Sequence, residues 1–442
     1  MKLRTICALS LVLAAGCNEV EDRLSWSPDG TRAILRVNNS LHFVDTAGNL
    51  STAFASNVTA AAWLPNSQGL VLVQSLNVDK WKDAENLLPP DEIAAVQTLA
   101  KGYLAFCAAG GIESNLLELL EIKRSELFNP VPLYILDTQP AALRDALQKA
   151  KDPAKLEADL SNSRTTTVYE VSIVSLDGKR VRVIERTLAS IEQPRPSFTA
   201  SALAFLKSQS LTVAPLDGGT NRVIAAERVE SFDWMPDGKT LVYAQRMNDK
   251  QADNFHVSDL DARNVVDTNG TLIAGGTLGL TMSISAFAPR VRCLADGRVL
   301  FASIPLQVPP PTSARLPARF YLIDPALGTN ATPTAIPNTP GSLPQDLAAF
   351  ASSPDGKRIA IVESGSDVVA VLDVATGVLE VVSPNHDAKS RTLPAWRGND
   401  ELYFAAWSTR PELLRWRQGS APQVFSSTWS DAVVTGLVEK SK

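Results

Sequence analysis

Histidine and cysteine are scarce in this chain: 442 residues contain three of the first and four of the second. So few imidazoles leave little material for a histidine-based zinc site or a histidine general base. His42 and His256 fall in apolar strand-like segments and His386 in a polar loop, settings that suit structural or solvated histidines. The sequence has no Gly-x-Ser-x-Gly elbow, no His-Glu-x-x-His and no phosphate-cradling glycine loop. It also lacks a dense basic stripe. Net charge is −5 with both signs interspersed, which excludes nucleic acid as a partner, because binding it requires phosphate charge to be neutralised over a surface. No apolar run reaches the length of a bilayer-spanning helix. Glycine and proline, 24 and 28 residues, are too sparse for low complexity, and 45% apolar content is enough for a folded body.

What is present begins at the amino terminus. Lys2 and Arg4 precede an apolar run from Ile6 to Ala15, the pattern of an export signal. It ends in Leu13, Ala14, Ala15, Gly16 and Cys17, which resembles the bacterial lipoprotein lipobox. That resemblance implies a signal peptide over 1–16, lipidation of Cys17 and a tether over 17–22. It also implies membrane attachment without a transmembrane helix. Asn18 rather than Asp after the cysteine implies an outer membrane lipoprotein facing the periplasm or the cell exterior. Maturation leaves Cys107 and Cys293, whose contexts differ too much to predict a disulfide.

A repeat occupies the rest of the chain. An apolar strand ending in Trp, a Pro-Asp-Gly turn and a second apolar strand recur at Trp26, Pro28, Asp29 and Gly30, and again at Trp234, Pro236, Asp237 and Gly238. Pro354, Asp355 and Gly356 keep the turn without the Trp. Weaker copies centre on Trp63, Cys293 and Trp396, and Leu203 to Phe205 is a seventh candidate. Proline sets φ at the turn, Asp bonds back to the chain and Gly accepts positive φ, so each copy is a hairpin. Further hairpins follow at Asp45, Asp177, Asp259 or Asp261, Asp324 and Asp373, giving four strands per unit. Spacings between the copies are 37, 142, 29, 59, 59 and 44 residues. The value of 142 requires an insertion.

The Trp-Ser-Pro-Asp-Gly turn with its following strand and later Asp-Gly hairpin resembles the WD-like repeats of TolB-type propellers. It implies an all-β fold: a β-propeller of six or seven four-stranded blades over 23–430, with a small α-helical insertion at 79–165 between the second and third strands of the second blade. The sequence departs from that family in that no separate amino-terminal α/β domain of the TolB kind is expected from it. Within the insertion, Ile93, Val96, Ala100, Tyr103, Leu104 and Cys107 repeat at helical spacing, and Leu133 to Leu136 reads as a short strand. The repeated Asp residues are turn formers rather than a carboxylate site, and no cofactor or metal is implied.

The functional expectation is a monomeric, lipid-anchored envelope scaffold rather than an enzyme. It would bind an envelope protein or polymer through loops on the insertion face. Trp81, Tyr103, Arg315 and Arg319 are the candidate contacts, with the proline-rich loop at 308–317 on the same face. The alternative is a propeller enzyme acting on a sugar or lactone at the channel mouth, a chemistry that leaves no compact motif.

Overall fold

The computed structural model describes residues 22–438 apart from 110–129, 151, 162–163, 200, 253–254, 274–281, 287–289, 304–318, 338–346, 364–367, 384–391 and 408–409. The segment 1–16 expected to be a signal peptide, Cys17, His386, Arg315 and the loop at 308–317 therefore lie outside the described residues. The fold is a seven-bladed β-propeller. Blade 1 holds β1 (Leu24–Trp26), β2 (Arg32–Val37) and β3 (Ser40–Asp45), with a bridge from Val44 to Leu50 as its outer edge. Six four-stranded meanders follow: β4–β7 (58–187), β8–β11 (191–225), β12–β15 (229–286), β16–β19 (291–335), β20–β23 (347–381) and β24–β27 (395–424).

The chain divides into two compact units. The larger contains blade 1, the strands of blade 4 and blades 5 to 7; the smaller contains blades 2 and 3 and the segment 265–274. In the larger unit the core is divided into layers between neighbouring blades. Along β25 (Glu401–Trp407), Leu402, Phe404 and Ala406 pack with Val362, Val369 and Val371 of blade 6, while Tyr403 and Ala405 pack with Trp26 and Leu35 of blade 1. The two-residue period of a strand sends alternate side chains to opposite neighbours. A central strand therefore reads as an unbroken apolar run, not as an alternation. The smaller unit follows the same rule, with Val71, Val73 and Val171 of blade 2 against Ile191, Leu203 and Phe205 of blade 3.

The turns explain the repeat. Ser27 N donates to Arg32 O at 2.8 Å and Ser353 N to Arg358 O at 2.8 Å, each serine hydroxyl also reaching the Asp two residues on. Gly30 sits at φ +67, where any Cβ would be strained. In blade 3 the turn is at Ser197, whose N donates to Ala202 O at 2.8 Å, with Phe198 and Thr199 in place of Pro and Asp. Phe205 thus belongs to the second strand, β9 (Ala202–Lys207), not to the first as the repeat suggests. Two other readings are corrected. Leu133–Leu136 is helical, because a four-residue apolar run does not separate a strand from a buried helix. Asp259 and Asp261 lie within β14 (Phe255–Asn264), and the hairpin residue is Asp267, which accepts from Asn269 N and Thr271 N, both at 2.8 Å.

The insertion comprises α1 (Trp81–Leu87), α2 (Pro90–Ala108), α3 (Val131–Thr138), α4 (Pro140–Lys149) and α5 (Pro153–Ser161), between β5 (Gly69–Val78) and β6 (Thr166–Ser175). It has its own core of Trp81, Val96, Tyr103, Leu104, Leu133 and Ile135, continuous with Leu76, Val78 and Val168 of the sheet below. A final helix, α6 (Asp431–Val438), follows blade 7 and packs on β2 and β26 (Pro411–Arg417).

Candidate functional site

Polar side chains cluster at several places among the described residues, two of which bear on function. The first is the seam between blades 7 and 1, where a cleft of ≈ 490 Å³ is lined by Asp29, Gly30, Arg397, Gly398, Asn399, Asp400, Glu401 and Arg417. The hairpin registers Arg397↔Glu401 and Glu401↔Arg417 set three charged side chains side by side across the sheet. Glu401 accepts from Arg397 Nη1 at 2.9 Å, Arg417 Nε at 2.7 Å, Arg417 Nη2 and Tyr403 Oη at 2.9 Å. Burial alone would raise the Glu401 pKa, but these four donors hold it below the usual carboxylate range. The Tyr403 phenol is pushed up to about 12, by burial first and by its bond to Glu401 second. Arg397 also donates from Nε to Gly30 O at 2.8 Å, and its guanidinium lies 4.9 Å from the Trp26 ring centroid. Both Glu401 oxygens are occupied and its affinity for a proton is depressed, so this carboxylate holds charges together and makes a poor general base. The seam is an adhesive.

The turn carboxylates are likewise taken up by donors within the fold. Asp29 accepts from Thr31 N at 3.0 Å, Asp237 from Lys239 N at 2.8 Å, Asp296 from Arg298 N at 3.0 Å and Asp355 from Lys357 N at 3.1 Å. The Ser27 hydroxyl is the main cause of a lowered Asp29 pKa. In Asp296 and Asp355 burial opposes the lowering, and hydrogen bonds from Arg298 and Ser353 prevail. No group of three His, Cys, Asp or Glu side chains with metal-holding geometry exists among the described residues.

The second place is the joint under the insertion. Glu92, in the first turn of α2, accepts from Thr187 Oγ1 at 2.5 Å and Leu188 N at 2.8 Å, and Lys207 Nζ reaches it at 3.3 Å. Lys207 also meets Glu185 at 3.1 Å, and Asn221 donates to the other Glu185 oxygen. Burial opposes the Lys207 charge, yet Glu185 and Glu92 together raise its pKa. One helix-terminal carboxylate thus ties α2 to the end of blade 2 and to a strand of blade 3.

The sequence-derived contact residues fall unevenly. Trp81 is 2% exposed, meets Tyr134 edge-on at 5.0 Å and donates from its backbone N to Asp137 Oδ2 at 2.7 Å. Tyr103 is 9% exposed in the same core. Both are packing residues of the insertion, which corrects their reading as surface contacts. An aromatic at helical spacing in a small subdomain is needed to build that subdomain's core. Arg319 is exposed at the head of β18 (Arg319–Ile323). Cys107 is buried and Cys293 half-buried. His42 is half-buried, with Nδ1 2.9 Å from Ser51 O, and His256 lies in β14. Sequence reasoning missed Glu401, Arg417 and Glu92. Extending the hairpin register from Arg397 would have paired Glu401 with Arg417, but nothing local connects Glu92 to Thr187.

Fold and turn chemistry together define the class, a β-propeller built on Pro-Asp-Gly-type turns. TolB from Acinetobacter baumannii is similar to it at 19% identity and a TM-score of 0.38, over 56% of this chain and 57% of TolB. This chain thus spans little more than half of that protein's length. The tricorn protease is similar over 94% of this chain and 35% of its own, at 10% identity and a TM-score of 0.50. The β-propeller domain of Cps50 (Swd1) from Myceliophteria thermophila aligns over 89% of this chain and 96% of its own, at 9% identity and a TM-score of 0.47. Likeness at these identities concerns fold alone. No protein-family model matches the sequence, and no curated protein matches it.

Proposed function

We propose that this chain is a lipid-tethered scaffold of the bacterial envelope, anchored through Cys17 and non-catalytic, which captures a protein partner with the helical insertion of blade 2. The observation that carries the reading is the relation between the insertion and its sheet. β5 and β6 pair without interruption from Gly69↔Ser175 to Val78↔Thr166, so a two-residue turn would close that hairpin. Blade 2 has no need of the intervening residues for its own pairing. They nonetheless form a subdomain with a core of its own and a carboxylate clamp at its base. A rigid non-repeat surface on a repeat scaffold suits recognition, because little ordering entropy is lost when a partner docks. The polar clusters support the same reading, since Glu401 and the turn Asp residues are committed to donors within the fold.

The test replaces residues 80–164 by Asn-Gly, with Leu76, Val78 and Val168 changed to Thr to clear the exposed root. The expected product is a folded, membrane-bound propeller that no longer yields the crosslinked envelope protein retained by the full chain. A partner still captured by that variant would reject the insertion as the recognition element. Turnover of a sugar lactone by the same variant would favour the enzyme reading instead.

A further inference from the structure

The first described residues fix how the amino-terminal segment joins the fold. Arg23 is 2% exposed; its Nη1 donates to Gly436 O at 2.5 Å, and its carbonyl accepts from Arg36 N at 2.7 Å. Gly436 belongs to α6, which presses so closely on blade 1 that a Cβ there would lie 2.5 Å from Val37 Cγ1. Thr392 Oγ1, just ahead of β24 (Ala395–Arg397), donates to Leu437 O at 2.6 Å. Trp429 Nε1, two residues before α6 begins at Asp431, donates to Gly48 O of blade 1 at 2.7 Å. The root of the chain is thereby clamped between α6 and the end of blades 1 and 7 at which their first strands begin.

The antiparallel pairing Leu24↔Leu35 and Trp26↔Ala33 places the Ser27–Gly30 turn at the opposite end of blade 1. The cleft formed by Asp29, Arg397, Asp400 and Arg417 is at that opposite end too. Six residues of β2 separate the two ends, about 17 Å at strand rise. Counting back from Arg23, Cys17 is six residues away, a contour of at most about 20 Å. The tether can therefore reach no farther than about the height of one blade.

We propose that the larger unit stands on its lipid surface by the end that α6 covers, and that the cleft end is turned to the aqueous side. The proposal rests on the Cys17 anchor and adds an orientation to it. A clamped root passes the restraint of a short tether to the body, where a frayed one would lose it. The partner at the α6 end is the phospholipid headgroup layer.

The experiment uses the full lipoprotein with Cys107→Ala and Cys293→Ala, reconstituted into phosphatidylethanolamine and phosphatidylglycerol vesicles that carry an acceptor-labelled lipid. A donor dye is attached either at Ala432→Cys, on the exposed side of α6, or at Lys357→Cys, whose side chain is 78% exposed in the turn of blade 6. The expected result is energy transfer at least about twofold greater from position 432, given a height difference on the scale of one blade. Equal transfer, or more from position 357, overturns the orientation while leaving the anchor intact. Failure of the protein to float with the vesicles, or flotation unaffected by Cys17→Ser, rejects the anchor and the orientation together.

Discussion

At the scale of single residues the polar chemistry is that of joints. Glu401 collects Arg397, Arg417 and Tyr403, and Arg397 carries the bond on to the Gly30 carbonyl of the neighbouring blade. Its folded-state pKa lies below the ordinary value of 4.5. The contribution is therefore full above pH 4.5 and is lost as pH falls through the depressed folded value. Glu401→Gln should lower stability by about 2–3 kcal/mol at pH 7. That is less than the loss of a fully buried pair, because the Arg417 side chain is 57% exposed and partly screened. Denaturant melts at several pH values supply the check: the gap between variant and parent should shrink below pH 4.5. A gap of constant size down to pH 3 would show that the carboxylate's charge is irrelevant to the seam.

Elements explain why part of the fold was legible in the sequence and part was not. Blades 1, 4 and 6 could be read because Pro-Asp-Gly writes the turn into three adjacent letters. Blade 3 hid because Phe198 and Thr199 hold the same turn with only Ser197 in common, its hydroxyl 3.2 Å from Ala202 N as that of Ser353 is 3.0 Å from Arg358 N. Leu133–Leu136 misled because local periodicity has no way to report the surrounding helices. The joint of the insertion was invisible, since Glu92 and Thr187 are 95 residues apart. That joint carries its own prediction. Glu92→Ala leaves the Thr187 hydroxyl, the Leu188 N–H and one contact of Lys207 without an acceptor, an expected loss of about 2–3 kcal/mol. Hydrogen exchange should quicken in 90–108 and 185–189 while blades 5 to 7 keep their protection. Uniform acceleration across the chain would mean that the insertion and the propeller unfold as one body.

At the scale of the whole molecule, each blade is a local meander and, among the described residues, the first and last blades share no strand. Blades 7 and 1 are instead joined by side chains and by α6. Trp26, Leu35, Tyr403, Leu413, Phe425, Trp429, Val434 and Leu437 form one cluster drawn from blade 1, blade 7 and the last helix. Such a seam depends on the carboxy-terminal residues, whereas a shared strand would place the bond inside a sheet. Removing residues 431–442 uncovers the apolar surface beneath Val434 and Leu437 and deletes the acceptors of Arg23 and Thr392. At about 1.5–3 kcal/mol per buried aliphatic side chain, the loss should reach about 3–5 kcal/mol. Gly436→Val should act in the same direction without shortening the chain, by forcing a side chain into Val37. Calorimetry would register the lowered transition, and exchange should rise first in 24–45 and 411–429. If both variants melt like the parent, α6 decorates a seam that the Glu401 cluster and the aromatic contacts already hold.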